Sequence, residues 1–235
     1  MKQNQVVSRT EWVEQRKQLL AREKAFSRER DALSAARRSL PRTQVDKRYV
    51  FDGPAGKAEL ADLFVGRSQL IIYHFMFAPT WQQGCKSCSF VSDHFDGTLA
   101  HLAARDTTLV AVSRAPLAQL EAFRQRMGWT FPWYSSADTS FNYDFQVSFT
   151  EQALADGTAD YNYGTLSFRR SDAPGFSVFI RDGEQVLHSY SSYGRGVELA
   201  MNTYNLLDIT PQGRDEEAGG PMAWLRHHDR YGSGE

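Results

Sequence analysis

An α/β fold organised around a mixed, mostly parallel sheet is what this chain predicts, on three observations. Apolar strand-like runs alternate with helix-like segments from Tyr49 onward. Two of these runs, Leu70 to Phe77 and Thr108 to Ser113, are apolar on both faces. The alternation closes in a hairpin turned at Asp182-Gly183. Strands that alternate with helices are joined by right-handed crossovers and pair in parallel. Strands apolar on both sides lie inside a sheet covered by helices on each face. A closing hairpin adds antiparallel neighbours, so the sheet is mixed.

The elements follow in order. Ser8-Arg9-Thr10-Glu11 reads as a capping box, with Ser8 as N-cap. It opens a long helix that ends near Leu40, before Pro41. Trp12, Leu19, Phe26, Leu33 and Leu40 recur every seven positions, but the second heptad positions hold Arg16, Glu23, Arg30 and Arg37. A coiled coil needs two apolar positions per heptad. The narrow stripe therefore suits packing along the chain's own domain or a homodimer contact. Tyr49-Val50-Phe51 is a short strand followed by a turn at Asp52-Gly53-Pro54, and Ala58 to Phe64 a short helix closed by Gly66. After the Leu70–Phe77 strand, a helix runs from the cysteines to about Ala104, with Phe90, Val91, Phe95, Leu99 and Leu102 as its buried stripe. Pro116 suits the first position of a helix that Gly128 ends. Phe131 to Tyr134 is a third parallel strand, Ser177 to Ile180 and Gln185 to Tyr190 are the hairpin arms, and Gly196 to Leu207 is a last helix. The predicted organisation is a helical extension over 1–44, an α/β domain over 45–210 and a polar, mobile tail over 211–235.

Size and charge exclude several classes. The chain has 235 residues, enough for one large domain with its own core. Its net charge of -1 gives no broad attraction to nucleic acid or to an anionic membrane. No apolar run is long enough to span a bilayer. Met1 to Ser8 is polar and lacks the apolar region of a secretory signal, so a cytoplasmic location is expected.

The chain contains 2 cysteines, Cys85 and Cys88, separated by Lys86 and Ser87. A disulfide across so short a loop removes little unfolded-state entropy, and a reducing cytoplasm disfavours structural disulfides. The pair therefore calls for a chemical reason. It sits where a buried strand gives way to a helix. Free amides and the helix dipole at a helix N-terminus favour negative charge, and so favour a Cys85 thiolate. The thiolate is the form that attacks a disulfide. Cys88, one turn on, can attack the resulting mixed disulfide and release product, and Lys86 adds local positive charge. The reading is thiol-disulfide exchange with an external protein or small-molecule thiol or disulfide, without a bound cofactor. Competing readings are a non-catalytic binding module and a zinc site. Zinc needs two more ligands, and no second CxxC exists; His94 lies six residues past Cys88 and points elsewhere.

Several motifs together resemble one bacterial thioredoxin-like family. They are Tyr73-His74-Phe75-Met76-Phe77, Trp81, Gly84-Cys85-Lys86-Ser87-Cys88-Ser89-Phe90, Asp96-Gly97, Val110 to Pro116, Met127 to Ser136 and Tyr204 to Asp208. The family is domain of unknown function number 899, whose members are predicted dithiol-disulfide oxidoreductases. The resemblance covers nearly the whole chain. It implies a thioredoxin-like, peroxiredoxin-type mixed sheet flanked by helices, with an added long N-terminal helix, and Cys85 and Cys88 as the redox pair. Thioredoxins place an aromatic directly before the first cysteine; here Trp81 lies four residues before Cys85. They also place a cis-proline on the strand facing the pair. Pro174 is in that region, but counting back from the hairpin turn puts Gly175 or Phe176 nearer that place. Peroxiredoxins carry Thr or Ser three residues before the reactive cysteine; Gln82 stands there, which makes peroxidase activity a weaker reading than disulfide exchange.

Other candidates have plain structural alternatives. Arg114 ends a parallel strand, at the sheet edge where α/β sheets bind ligands, and is either near Cys85 or a surface cation capping the strand end. His74, mid-strand in an apolar run, reads as a neutral, hydrogen-bonded core histidine. Phe141, Tyr143, Phe145, Phe149, Tyr161, Tyr163 and Phe168 form an aromatic segment longer than the fold needs, either a satellite core or a wall over the cysteines.

Overall fold

A computed structural model describes residues 5–167, 170–216 and 219–232; Phe168 lies outside the described residues. The chain forms two compact units, Met1–Pro41 and Arg42–Glu235. The first is helix α1 (Arg9–Arg38), which opens on a complete capping box: Glu11 N–H donates to Ser8 Oγ at 3.3 Å and Ser8 N–H to the Glu11 carboxylate at 3.0 Å. It buries none of its own side chains.

In the second unit the strands are β1 (Thr43–Gln44), β2 (Val50–Gly53), β3 (Gly56–Glu59), β4 (Gln69–His74), β5 (Thr107–Ser113), β6 (Trp133–Ser135), β7 (Asp160–Tyr161), β8 (Leu166–Ser167), β9 (Gly175–Asp182) and β10 (Gln185–Tyr193). The helices are α2 (Lys86–Ser92), α3 (Leu99–Ala103), α4 (Leu117–Arg126), α5 (Phe141–Asp144), α6 (Glu151–Ala155) and α7 (Asn202–Leu207). The main sheet runs β1-β10-β9-β4-β5-β6-β2-β3. β4, β5 and β6 pair in parallel, and β9 and β10 add antiparallel to β4. This is the mixed sheet that the sequence predicts, parallel at its centre and closed by an antiparallel hairpin. Gly183 turns the β9–β10 hairpin at φ 61°, a left-handed conformation that suits glycine.

Central strand β4 is buried on both faces. Leu70 and Ile72 enter one core with Phe51, Leu63 and Phe141; Tyr73 and Phe75 enter the other with Phe95, Phe123 and Trp133. β4 leaves the ladder at His74, earlier than the apolar run suggests. Alternation lapses beyond it, so Met76 joins the Tyr73 and Phe75 side instead of the Leu70 and Ile72 side.

Two helices are shorter than the sequence pattern suggests. The segment after the cysteines breaks at Asp93, passes through a 3-10 turn at Asp96–Thr98 and resumes as α3. The reason is tertiary. Asp96 accepts from the amides of Thr130 and Phe131 at 2.9–3.1 Å, and Asp93 accepts from Trp129 Nε1 at 2.8 Å. These bonds satisfy otherwise unpaired donors and outweigh local helix preference. Similarly, Gly194–Ala200 is a 3-10 turn, and only Asn202–Leu207 is α-helical.

The polar stretch after Pro211 folds back onto the domain. Leu225 and His227 are buried, at 1% and 5% exposure. Glu216 accepts from Tyr204 Oη at 2.6 Å, the Met222 amide at 2.8 Å and Trp224 Nε1 at 3.0 Å. No helix among the described residues is long and apolar enough to cross a membrane.

Candidate active site

The loop after β4 delivers Cys85 to the start of α2. Cys85 N–H donates to the Met76 carbonyl at 3.1 Å, which ties the loop back to the strand end. Gly84 is needed here for space: a Cβ would lie 2.7 Å from the Phe75 ring and 2.9 Å from the Phe123 ring. Its carbonyl accepts from His227 Nε2 at 2.9 Å. Cys85 is the N-cap, with extended backbone (φ -60°, ψ 130°), and α2 begins at Lys86. Both cysteines are free thiols; Cys85 is half-buried and Cys88 is fully buried.

This placement treats the two sulfurs in opposite ways. The Cys88 thiol hydrogen-bonds to the Cys85 sulfur and lowers the Cys85 pKa to about 6; the amides of Cys88 and Ser87 and the charge of Arg170 act in the same direction, against the effect of burial. Cys88 is pushed well up, first by burial and then by its bond to Cys85. The Met76 amide donates to Cys88 Sγ at 3.4 Å. Tyr73 lies beside Cys88. Its hydroxyl is buried, its pKa is raised by burial and by the neighbouring thiol, and it has no partner of normal hydrogen-bond geometry among the described residues.

The pair opens into a cleft of about 800 Å³. Tyr73, Met76, Tyr161 and Pro174 line it from the sheet side, Val197 and Met201 from the 3-10 turn, and Arg214, Glu216 and Met222 from the C-terminal segment. Arg214 pairs with Glu198 and Asp208, both at 2.6 Å, and stacks 3.9 Å over Tyr204. Pro174 lies just before Gly175, which opens β9 and pairs with His74.

The other sequence candidates scatter. Trp81 is half-buried against the core and does not line the cleft. Lys86 is exposed and its Nζ donates to the Ala223 carbonyl at 3.3 Å. Arg114 forms a two-pronged pair with Asp172 at 2.8 and 2.7 Å and donates to Tyr143 Oη at 2.7 Å, also away from the cleft. Phe176 is opposite Tyr73 in the ladder and packs on it at 4.9 Å, inside the core. His74 is neutral: burial pushes its pKa down to about 3, and Nε2 bonds Ser177 Oγ at 2.8 Å. The aromatic segment divides between both expected roles. Phe141 and Phe145 pack in the core, whereas Tyr161 reaches the cleft. Sequence reading missed Tyr73, Arg170 and the whole C-terminal wall. Tyr73 alone carried a signal, a polar group on the strand face that also holds Phe75.

Among the described residues no group of three or more His, Cys, Asp or Glu side chains is arranged to hold a metal ion. The chain matches none of the curated proteins. Solved structures with a similar fold include peroxiredoxin Q of Xanthomonas campestris, with 14% identity, TM-score 0.48, and 71% of this chain and 94% of that one covered. The peroxidoxin BcpB of Mycobacterium tuberculosis aligns with 16% identity, TM-score 0.45, and 73% and 98% covered. The family model described as bacterial protein of unknown function, DUF899, matches residues 1–231, and the chain belongs to that family.

Proposed function

We propose that this protein carries out thiol-disulfide exchange through Cys85 and Cys88. The observation that carries the reading is the asymmetry of the pair. A partly buried Cys85 with its pKa lowered to about 6 lines a cleft, and a fully buried free thiol with a raised pKa lies close behind it, one turn on. The Cys85 thiolate attacks one sulfur of a substrate disulfide; the S–S bond breaks and the departing thiolate takes a proton from water. Cys88 then gives up its proton and attacks the Cys85 sulfur of the mixed disulfide, which expels the second thiolate and leaves a Cys85–Cys88 disulfide. Two protein thiols are oxidised and one disulfide becomes two thiols. An external dithiol or thiol pair returns the protein to its starting state, and the same steps run backward when the substrate is a thiol.

The test is a redox titration of the protein in thiol/disulfide buffers, with free thiols alkylated and counted by mass spectrometry. A reversible two-electron transition between about -120 and -270 mV supports the reading. The Cys88→Ser variant should also retain one substrate-derived adduct on Cys85 after exposure to oxidised glutathione. No transition and no adduct would overturn it in favour of a non-catalytic module.

A further inference from the structure

We propose that the cleft beside the dithiol selects small organic disulfides with an anionic group on an apolar body, and that Arg170 is the residue that reads the charge. The proposal rests on the exchange chemistry above and specifies its substrate. Cys85 opens into a walled space rather than onto a flat face. Its volume of about 800 Å³ lies within the range of small-molecule sites, and Arg214, Glu216, Pro221 and Met222 of the C-terminal segment form part of its wall. Met76, Val91, Leu166, Val197, Met201 and Met222 supply carbon surface for an apolar body.

The charge follows from counting partners. Arg170, Arg195, Arg214, Glu198 and Glu216 line the cleft. Glu198 holds Arg195 at 3.0 Å and Arg214 at 2.6 Å, and Arg214 also binds Asp208. Glu216 is occupied by Tyr204, Met222 and Trp224. Glu216's partners are neutral donors, so with Asp208 the charges balance over the cleft as a whole. Arg170 is the lining cation left without an ion pair among the described residues, and it is the one whose field acts on the reacting sulfur. A carboxylate on the substrate would meet it there. The floor adds the buried, unpartnered Tyr73 hydroxyl, a donor available to the Cys88 sulfur as it becomes a thiolate.

The experiment uses the reduced full chain and three probes: dianionic 5,5′-dithiobis(2-nitrobenzoate), neutral 2,2′-dithiodipyridine, and insulin. Rates with the first two are divided by those of free glutathione, which removes intrinsic electrophilicity. The same Cys85 thiolate attacks both probes, so the anionic-to-neutral ratio is insensitive to a change in its pKa. The ratio should exceed that of glutathione, fall about fivefold in Arg170→Gln, survive in Arg170→Lys and weaken with salt. Insulin should be reduced no faster than by the recycling thiol alone. A ratio unchanged by Arg170→Gln, or rapid insulin reduction, overturns this inference while the dithiol chemistry stands. No reaction of either small probe at Cys85, with Cys85→Ser as the reference, overturns both.

Discussion

Replacing Cys88 with alanine should raise the pH at which Cys85 becomes nucleophilic, because the bond from the Cys88 thiol is the largest influence holding the Cys85 pKa at about 6. With that value, roughly nine-tenths of Cys85 is thiolate at pH 7 and roughly one-tenth at pH 5. Without Cys88, burial opposes the remaining amides and Arg170, and the pKa moves toward the ordinary thiol value of about 8.5. Thiolate then falls to a few per cent at pH 7 and to about 0.03% at pH 5. A more basic thiolate is also more reactive, by a factor of about 10 for this change. The two effects nearly cancel at pH 7, where the rates should agree within about threefold. At pH 5 the variant should be slower by about 20- to 30-fold. The assay is iodoacetamide alkylation of Cys85 between pH 4.5 and 9, followed by intact-mass spectrometry. A wild-type midpoint near 8.5, or one that the alanine leaves in place, refutes the reasoning.

His74 stays neutral in the fold, with a pKa of about 3, yet protonates near 6.5 when unfolded. Below pH 6.5 the unfolded chain therefore binds a proton that the native one refuses, and stability should fall with pH down to about 3, by up to about 1.4 kcal/mol per unit. Urea midpoints from pH 7 to 4 should fall less steeply in His74→Gln; equal slopes would show that other groups set the trend. Asp172→Ala leaves the Arg114 guanidinium unpaired, with side-chain exposures of 14% for Arg114 and 4% for Asp172. Loss of a buried partner of this kind costs about 3–5 kcal/mol, readable by urea denaturation. A loss under about 1 kcal/mol would mean that Tyr143 and water replace the carboxylate.

Local pattern was sufficient for the elements whose causes are local. Ser8 and Glu11 cap α1 through neighbours three residues apart, and Asp182-Gly183 turns the hairpin. The two-sided apolar run placed β4 in the middle of the sheet, and with it the cysteines at a helix start. That is why the pair was recognisable: spacing, strand end and helix N-terminus are all written within about 20 residues of sequence. The composition of the C-terminal segment, by contrast, reads as solvent-facing. Its anchors are Glu216 under Tyr204 and His227 on the Gly84 carbonyl, the second 143 residues away in sequence.

The same distinction separates what each level determined about the site. From the sequence alone came the sheet class, the order of its strands along the chain and the placing of the two cysteines at a helix start. Only the tertiary structure decided that Arg114 belongs to Asp172, that Arg170 lines the same cleft as Cys85, and that the segment after Pro211 walls that cleft. The physical reason is that periodicity and capping act between near neighbours, whereas a charge is spent or left over according to partners brought together by chain closure. Asp172, which occupies Arg114, is 58 residues away in sequence, and no local signal marks it as that partner.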